Sequence, residues 1–256
     1  MLEALRSAIP QISVRGAVAD FRVHDVEPNM VVEPRSAEEA AAVLKLASEN
    51  DWRVECAGMN TQGYGNRRTR ADIVISTRAM TAIVEYEPAD LVIGVQAGMP
   101  LHQLQRETRK NAQFLPLDPA REEMATIGGT LAAALSGPLR YAHGTARDHV
   151  LGLQVVTGDG RILQLGGRVV KNVAGYDLVR LLVGSAGTLG LITSAYLRLK
   201  PLPQADETLQ ISAAEPQPLL ELARYITTAN LEAVALELLD AGALTESWLL
   251  LVRLAG

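Results

Sequence analysis

The stretch Ala125-Thr126-Ile127-Gly128-Gly129-Thr130 places a glycine pair directly before an alanine-rich segment, which we predict to be a helix as far as about Leu135. Three further glycine-rich segments are spread along the chain, at residues 57–63, 141–148 and 184–190. Glycine lets backbone N–H groups close on phosphate oxygens because no side chain intervenes. Each segment alone is equally well explained as an ordinary turn. Together, the four segments favour a binding site for a large dianionic ligand.

Composition sets the broad class of the protein. The chain has 256 residues, of which 48% are apolar and 21% charged, with a formal net charge of −5. This length predicts one large domain or two small ones, and the high apolar content excludes a disordered chain. A single cysteine, Cys56, excludes a disulfide-rich fold, and the mild acidity argues against binding nucleic acid. The longest uncharged stretch is interrupted by Gly, Ser and Thr residues, so we expect no membrane span.

The first part of the chain has the pattern of a mixed α/β unit. A short strand at Val31–Pro34 precedes a capping box, in which Ser36 accepts from the N–H of Glu39 and Glu39 reaches back. The helix that follows runs to about Asn50. Further predicted elements are strands at 53–56, 72–76, 83–86 and 91–95 and a helix from Pro100 to about Asn111.

The second part continues with strands and ends in a separate pattern. We predict a hairpin at Val155–Leu163, turning at Gly158-Asp159-Gly160, and a strand at Leu191–Leu199. Pro201 and Pro203 mark a linker. After the linker come a predicted helix at 219–228 and strands at 234–239 and 247–254.

Several functional classes lack their motifs in this sequence. There is no Gly-Lys dipeptide for a P-loop, no GxGxxG between a strand and a helix for a Rossmann site, and no GxSxG elbow for a serine hydrolase. With one cysteine, and four histidines that lack metal-ligand spacing, we expect no metal site. These histidines are His24, His102, His143 and His149.

Five ordered motifs are found between residues 114 and 178: Phe114–Pro119, Ala125–Thr130, Ser136–Pro138, Gly144–Asp148 and Val170–Leu178. Together with the glycine loops they resemble the FAD-binding domain shared by the vanillyl-alcohol oxidase and p-cresol methylhydroxylase flavoproteins. More narrowly, they are similar to the FAD-binding E subunits of bacterial glycolate oxidases. The similarity covers roughly residues 28–203.

The resemblance implies an α+β protein with a two-lobed FAD-binding domain of the p-cresol methylhydroxylase type at residues 1–203. The N-terminal lobe is expected at about 28–96, the second lobe at about 97–203, and a truncated or minimal α/β cap domain at 204–256. Covalent relatives attach flavin through a histidine in the first glycine loop, where this chain has Met59-Asn60-Thr61 with no histidine and no available cysteine, so FAD is expected to be non-covalent. The implied FAD-binding residues are Gly58, Met59, Asn60, Thr61, Gln62, Pro116, Asp118, Thr126, Ile127, Gly128, Gly129, Ser136, Gly137, Thr145, Ala146, Asp148, Lys171, Gly187, Gly190 and Ile192.

The resemblance also implies a function within a complex. Related 2-hydroxy-acid dehydrogenases carry glutamate where this chain has Ala186, and a C-terminal His-x-Gly-Asp-Gly-Asn motif has no counterpart here. We therefore expect an FAD-binding subunit for oxidation of a 2-hydroxy acid to a 2-oxo acid, with no catalytic residue assigned. The expected partners are a homologous catalytic flavoprotein subunit and an iron–sulfur subunit. The expected location is cytoplasmic, with contact to the inner membrane through the complex left open.

Two alternatives and three local interpretations remain open. The chain is alternatively a non-catalytic structural subunit of such a complex, or a stand-alone FAD reductase of the same fold. Lys171 either neutralises charge near the flavin or is a surface lysine. Asp177 either orders its loop against the flavin or caps a helix at Leu178–Leu182. The strand at Ser247–Leu254 is expected to lack its usual sheet neighbours and to pair with another chain.

Overall fold

The computed structural model describes residues 1–16, 21, 27–61, 71–167, 177–229, 231–240, 242 and 247–256. The helices are α1 (Leu2–Ala8), α2 (Ala37–Glu49), α3 (Leu101–Arg109), α4 (Ile127–Ala132), α5 (Arg140–His143), α6 (Leu178–Leu182) and α7 (Pro216–Thr228). The strands are β1 (Ser13–Gly16), β2 (Met30–Glu33), β3 (Val54–Ala57), β4 (Ile73–Ser76), β5 (Ile83–Glu87), β6 (Val92–Gln96), β7 (Gln113–Phe114), β8 (Val150–Val156), β9 (Ile162–Gly166), β10 (Leu191–Arg198), β11 (Lys200–Pro201), β12 (Asp206–Ala213), β13 (Ala233–Leu239) and β14 (Trp248–Ala255).

The first lobe is a four-stranded sheet in the order β1-β2-β4-β3, with β1 antiparallel and the other pairs parallel. Helix α2 connects β2 to β3, as the sequence predicts. Ser36 Oγ accepts from the Glu39 N–H at 3.2 Å, which confirms that half of the capping box. The Glu39 carboxylate instead accepts from the Arg35 N–H at 2.8 Å, one residue before the cap. The Ser36 bond satisfies a donor that the first helical turn leaves unpaired.

The second lobe is a five-stranded antiparallel sheet in the order β5-β6-β10-β8-β9. The predicted hairpin is confirmed, since β8 and β9 pair with Val156 opposite Ile162. Strand β6 pairs with β10, with Val95 opposite Ala195. Strands β5 and β6 therefore belong to this second sheet, which differs from the predicted lobe boundary at residues 96/97. The reason is a long-range pairing, because β6 reaches its partner about 100 residues further along the chain.

Behind the second sheet lies the largest apolar core of the protein. Helices α3, α4 and α6 contribute to it together with the inner faces of β6, β8 and β10. Leu104, Leu131, Val155 and Leu197 are each at most 1% exposed. Burying a leucine or valine side chain contributes about 1.5–3 kcal/mol. This core therefore fixes α4, and with it the glycine pair at its start, against the sheet.

The C-terminal segment forms a three-stranded antiparallel sheet in the order β12-β14-β13. Helix α7 covers one face through Leu219 and Ile226, which pack with Leu250 and Val252. Strand β14 is central: its Val252 lies opposite Leu209 on one side and Leu236 on the other. The prediction that Ser247–Leu254 lacks sheet neighbours is therefore wrong. Both neighbours precede it in the chain, and strand spacing alone does not show which strands pair.

The C-terminal sheet contacts the second lobe. Helix α5 packs against β13, and Tyr141 Oη donates to Thr227 Oγ1 at 3.2 Å. The N–H groups of Gln204 and Ala205 donate to the Gly256 carbonyl at 2.8 and 2.9 Å, which ties the start of this segment to its end. Within the part of the chain described above, no helix combines the length and apolar character needed to cross a membrane.

Candidate cofactor site

Three glycine loops that are far apart in sequence lie together. A Cβ atom placed on Gly58, in the loop after β3, would lie 2.1 Å from Thr126 Oγ1 at the start of α4. A Cβ on Gly187 would lie 3.0 Å from the Cβ of Cys56, at the end of β3. Contacts this short exclude any side chain at either glycine without movement of a neighbour. The loop after β3, the start of α4 and the loop at 184–190 therefore form one region, as the sequence predicts.

The start of α4 is held by hydrogen bonds within the protein. Thr126 Oγ1 accepts from the Gly129 N–H at 3.2 Å, and the Ile127 and Gly128 N–H groups donate to the carbonyls of Met99 and Ala97 at 2.9 and 2.7 Å. These amides therefore already have acceptors. A Cβ on Gly128 would lie 2.7 Å from the Ala97 Cβ. Glycine at 128 thus permits close packing of α4 on the segment after β6, while the partly exposed Gly129 leaves a bare backbone surface.

The first loop is held from the end of β4. Ser76 Oγ donates to the Gly58 carbonyl at 2.8 Å, and Thr77 Oγ1 donates to the Ala57 carbonyl at 3.5 Å. Asn60 has a φ of 55°, in the left-handed region. Asparagine tolerates this conformation better than most residues. Met59 is 41% exposed beside it. The loop is thus ordered by side chains outside it, which leaves Met59 open to a ligand.

A second group of predicted residues assembles around Asp118. The Asp118 carboxylate accepts from the Leu139 N–H at 3.0 and 3.3 Å, and the Asp118 N–H donates to the Ser136 carbonyl at 3.2 Å. Gly137 has a φ of +71°, and a Cβ there would lie 2.0 Å from the Asp118 carbonyl oxygen. Ser136 Oγ accepts from the Ala146 N–H at 2.9 Å. Asp118, Ser136 and Ala146 are therefore joined by hydrogen bonds, and Gly137 packs directly against Asp118.

Thr145 and Asp148 cap a short 3-10 helix at Ala146–His149. Asp148 Oδ2 accepts from both the N–H and the Oγ1 of Thr145, each at 2.8 Å. These two bonds hold the pKa of the Asp148 carboxyl below its ordinary value, the backbone bond having the larger effect. Asp148 is therefore ionised at neutral pH and orders the turn that follows Gly144.

The loop at 184–190 closes the end of α4. The N–H groups of Gly184 and Ala186 donate to the carbonyls of Leu131 and Ala132 at 3.0 and 2.7 Å. These carbonyls would otherwise lack partners at a helix end. A Cβ on Gly190 would lie 2.7 Å from Val155 Cγ1, and the next predicted residue, Ile192, is buried opposite Val155 in β10.

Two hydroxyls near this loop suit a polar ligand. Thr130 Oγ1 and Ser185 Oγ are both buried, and neither has a hydrogen-bond partner among the residues that the structure describes. Buried polar groups of native proteins nearly always have a partner. Together with the bare backbone surface at the partly exposed Gly129, these hydroxyls fit a large polar cofactor.

Charged groups meet where the second lobe contacts the C-terminal sheet. Burial raises the pKa of the half-buried Asp118 to about 6, against the bond from the Leu139 N–H and the charge of Arg253, which lower it. Arg253 comes from β14 and binds Asp206 through Nε and Nη2 at 2.8 and 2.6 Å, which raises the pKa of the guanidinium. Burial lowers the pKa of His143, and the nearby charges of Lys200 and Arg253 lower it further.

Not every predicted residue can be located. Gln62 and Lys171 lie outside the described residues. Asp177 is a helix cap, since its carboxylate accepts from the Arg180 N–H at 3.1 Å at the start of α6, which confirms the capping interpretation. Among the residues described, no cluster of three or more His, Cys, Asp or Glu side chains is arranged to hold a metal ion.

Sequence reasoning missed some of the residues that build the site. Ala97 and Met99 supply the carbonyls that hold α4, and Ser76 and Thr77 anchor the first loop. Gly98, between Ala97 and Met99, could have indicated this segment in the sequence. A Cβ there would lie 1.9 Å from the Thr77 carbonyl oxygen, so the position requires glycine. Arg253 carried no signal in the sequence, because only the sheet pairing of β14 brings it towards Asp118.

A two-lobed α+β domain whose glycine loops converge beside unpartnered hydroxyls fits a protein that binds a large nucleotide cofactor. The profile of a family described as "FAD binding domain" matches residues 28–166, which is more than half of the chain. The chain belongs to this FAD-binding domain family, and its cofactor is FAD. The fold class and the family predicted from the sequence are thus confirmed.

Curated relatives give a finer comparison. The chain is 33% identical over 214 residues to "Glycolate oxidase subunit GlcD" of Bacillus subtilis, covering 83% of this chain and 46% of the relative. It is 38% identical over 169 residues to "Glycolate oxidase subunit GlcE" of Escherichia coli, covering 66% and 48%. It is 40% identical over 173 residues to "D-lactate dehydrogenase" of Archaeoglobus fulgidus, covering 67% and 39%. The chain thus spans about half the length of these relatives or less.

Solved structures share the fold at lower sequence identity. The structure described as "alkyldihydroxyacetonephosphate synthase in P1" has a TM-score of 0.75 and 21% sequence identity, covering 90% of this chain and 48% of that one. At this sequence identity the likeness shows a shared fold.

Proposed function

We propose that the chain is the FAD-binding subunit of a complex that oxidises a 2-hydroxy acid, with glycolate as the first candidate, to the corresponding 2-oxo acid. The observation that carries the proposal is the similarity to two glycolate oxidase subunits, GlcD and GlcE, over 83% and 66% of the chain. The relatives named D-lactate dehydrogenase make D-lactate the second candidate substrate.

The residues proposed to hold FAD are those that the fold gathers around the glycine loops. Gly58 and Gly187 would hold their loops close together beside the dinucleotide, Gly129 would let the backbone approach it, and the hydroxyls of Thr130 and Ser185 would supply hydrogen bonds. The Asp118 unit, with Ser136 and Ala146, would order the adjacent wall. Because the loop Met59-Asn60-Thr61 contains no histidine, the proposal includes non-covalent binding.

The chemistry fits the charges at the contact between the second lobe and the C-terminal sheet. Oxidation of a hydroxy acid converts its CH–OH to a carbonyl and releases two electrons and two protons, and bound FAD would supply the two-electron acceptor. A hydroxy acid is an anion at neutral pH. Arg253 at this contact is already paired with Asp206, so Lys200 is the cation that would attract such a substrate.

The proposal includes partner chains. A homologous catalytic flavoprotein subunit would contribute substrate oxidation, and an iron–sulfur subunit would remove electrons. The names of the relatives, which are subunits of glycolate oxidase, support a multi-subunit enzyme. A cytoplasmic location, with contact to the inner membrane through the complex, is part of the same proposal.

The test begins with the purified chain. We expect a flavin absorption band, release of free FAD on denaturation, and reduction of the flavin by glycolate or D-lactate once the partner subunits are added. L-lactate and D-2-hydroxyglutarate are tested beside glycolate and D-lactate as comparison substrates. Absence of a flavin band together with no uptake of added FAD would refute the proposal. Full turnover by a complex whose copy of this chain cannot bind FAD would instead establish the structural-subunit alternative.

A further inference from the structure

An exposed edge strand distinguishes the C-terminal sheet. Strand β12 is eight residues long, and six of those residues are exposed and none is buried. It pairs along its whole length with β14 on one side. On its other side, no strand pairs with it among the residues that the structure describes. A free edge of this length presents about 26 Å of unpaired backbone donors and acceptors.

Most of this edge lacks the features that normally prevent an edge strand from pairing with another chain. Proteins protect free edges with charged residues, proline, bulges or short strands. Strand β5 carries Glu85 and Glu87 and is followed by Pro88, and β13 has Glu237 within it. Strand β12 has acidic residues only at its first two positions, Asp206 and Glu207, and residues 208–213 contain neither a charge nor a proline.

We propose that β12 is an assembly edge that pairs antiparallel with β12 of a second copy of this chain. The charge pattern favours this occupant and this direction. A parallel in-register pair would place each Glu207 beside its own copy, and like charges directly opposite each other destabilise a sheet. Asp206 adds less to this repulsion, because Arg253 already binds its carboxylate. An antiparallel pair sends the acidic end of each strand to the uncharged end of the other.

Side-chain faces fix the register of this pair. Opposed residues in an antiparallel pair share one face of the sheet. The two-fold axis must therefore lie midway between the two copies of one residue, which are opposite each other. If the axis lies between the two Gln210 residues, Leu209 of each copy is opposite Ile211 of the other, on the face that α7 covers. This register also places Thr208 opposite Ser212 on the other face and Glu207 opposite Ala213, with no charged pair opposed.

The apolar contacts support this register. Ile211 already packs against the cluster of Leu219, Leu250 and Val252, and Leu209 is 48% exposed on the same face. Pairing with a second copy would extend that cluster across the axis and cover Leu209. The result is a closed, isologous dimer with a continuous six-stranded sheet, and its two outer edges would be the β13 strands with their Glu237 residues.

The experiment measures mass by size-exclusion chromatography with light scattering on the FAD-loaded full chain. We expect about twice the chain mass of 27.5 kDa for the wild type. Gln210→Lys places two lysines opposite each other at the axis and is expected to halve the mass. Gln217→Lys, the same change at an exposed position of α7, is expected to leave the dimer intact. Circular dichroism and FAD content check that both variants fold.

Cysteine cross-linking tests the register itself. Antiparallel partners have Cα atoms about 4.5–5.5 Å apart, which is within disulfide range. Gln210→Cys is therefore expected to form a disulfide-linked dimer on oxidation, and Leu209→Cys, which faces Ile211, is not. A monomeric wild type, or a dimer that survives Gln210→Lys, would overturn the proposal. Cross-linking through Leu209→Cys in place of Gln210→Cys would overturn the stated register and with it the charge argument.

Discussion

The contact between Gly58 and Thr126 allows a quantitative prediction for the Gly58→Ala variant. The new Cβ would lie 2.1 Å from Thr126 Oγ1, and 3.1 and 3.2 Å from the Cβ and Cγ2 of the same side chain. The cheapest response is rotation of Thr126 about its Cα–Cβ bond. That rotation removes the hydrogen bond that Thr126 Oγ1 accepts from the Gly129 N–H at 3.2 Å, which is the N-cap of α4.

The expected cost follows from the two parts of this response. Loss of a threonine N-cap costs about 1 kcal/mol, and the remaining overlap at the two 3.1–3.2 Å contacts adds roughly 1 kcal/mol of packing strain. We therefore expect Gly58→Ala to lower the free energy of unfolding by about 2 kcal/mol. If the loop instead moves away from α4, each 1.4 kcal/mol lost at the site raises the Kd for FAD about tenfold.

A double-mutant cycle isolates the contact. Thr126→Ala alone is expected to cost about 1 kcal/mol, because it removes the same cap. The double variant is expected to cost less than the sum of the two single changes, since the cap can be lost only once. Gly158→Ala is the matched control, because no atom lies within 4 Å of its added Cβ.

The assays are urea unfolding of the apo chain and titration of FAD by flavin fluorescence. The reasoning would be refuted by a Gly58→Ala variant as stable as Gly158→Ala. It would equally be refuted if the costs of Gly58→Ala and Thr126→Ala were simply additive, because the two changes would then not act on one contact.

Three further predictions concern individual side chains. Ser36→Ala should lower the free energy of unfolding by about 1 kcal/mol in thermal or urea melts, because the cap of α2 is lost. The pKa of Asp118 is raised to about 6 in the folded state, so its ionisation disfavours folding as pH rises from about 4 to 6. Asp118→Asn should therefore gain stability relative to wild type over that range, by on the order of 1 kcal/mol after allowing for solvent screening, with a constant difference above it. Arg253→Met removes a positive charge that lowers the pKa of Asp118, so the midpoint of this pH dependence should move to higher pH.

Each of these has a control and a contrary outcome. Ser48→Ala, at an exposed position late in α2, should be neutral, and a loss equal to that of Ser36→Ala would show that the cap contributes nothing. A stability difference between Asp118→Asn and wild type that does not change between pH 4 and 7 would contradict the raised pKa of Asp118. Asp206→Asn is the control for Arg253→Met, because it keeps the guanidinium near Asp118. If Asp206→Asn moved the midpoint of the pH dependence as far as Arg253→Met does, a direct effect of the Arg253 charge on Asp118 would be contradicted.

The position of β14 shows a limit of reasoning from sequence. The spacing of Ser247–Leu254 identified a strand correctly, and α7 and β13 were also predicted within a few residues. Its two neighbours, however, are chosen by hydrogen bonds to segments that begin at 206 and 233. The assignment of β5 and β6 to the second lobe has the same cause, a pairing of β6 with β10.

Local physical rules were sufficient wherever the deciding contacts lie within a few residues. The cap of α2 by Ser36, the hairpin of β8 and β9, and the cap of α6 by Asp177 are of this kind. The ordered glycine loops were also enough to indicate an FAD-binding domain. The sequence by itself therefore determined many of the elements, the family and the cofactor, although it gave no indication of α1, β1 or β12.

Only the tertiary structure decided how the glycines are used. Gly128 lies against Ala97, and Gly58 against Thr126, so each glycine makes room for a neighbour 31 or 68 residues away in sequence. The structure also brought Arg253 from the last strand towards Asp118 and left β12 as an unprotected edge. These features depend on which distant segments approach each other, and that choice is made by burial and pairing across the whole chain rather than by any local pattern.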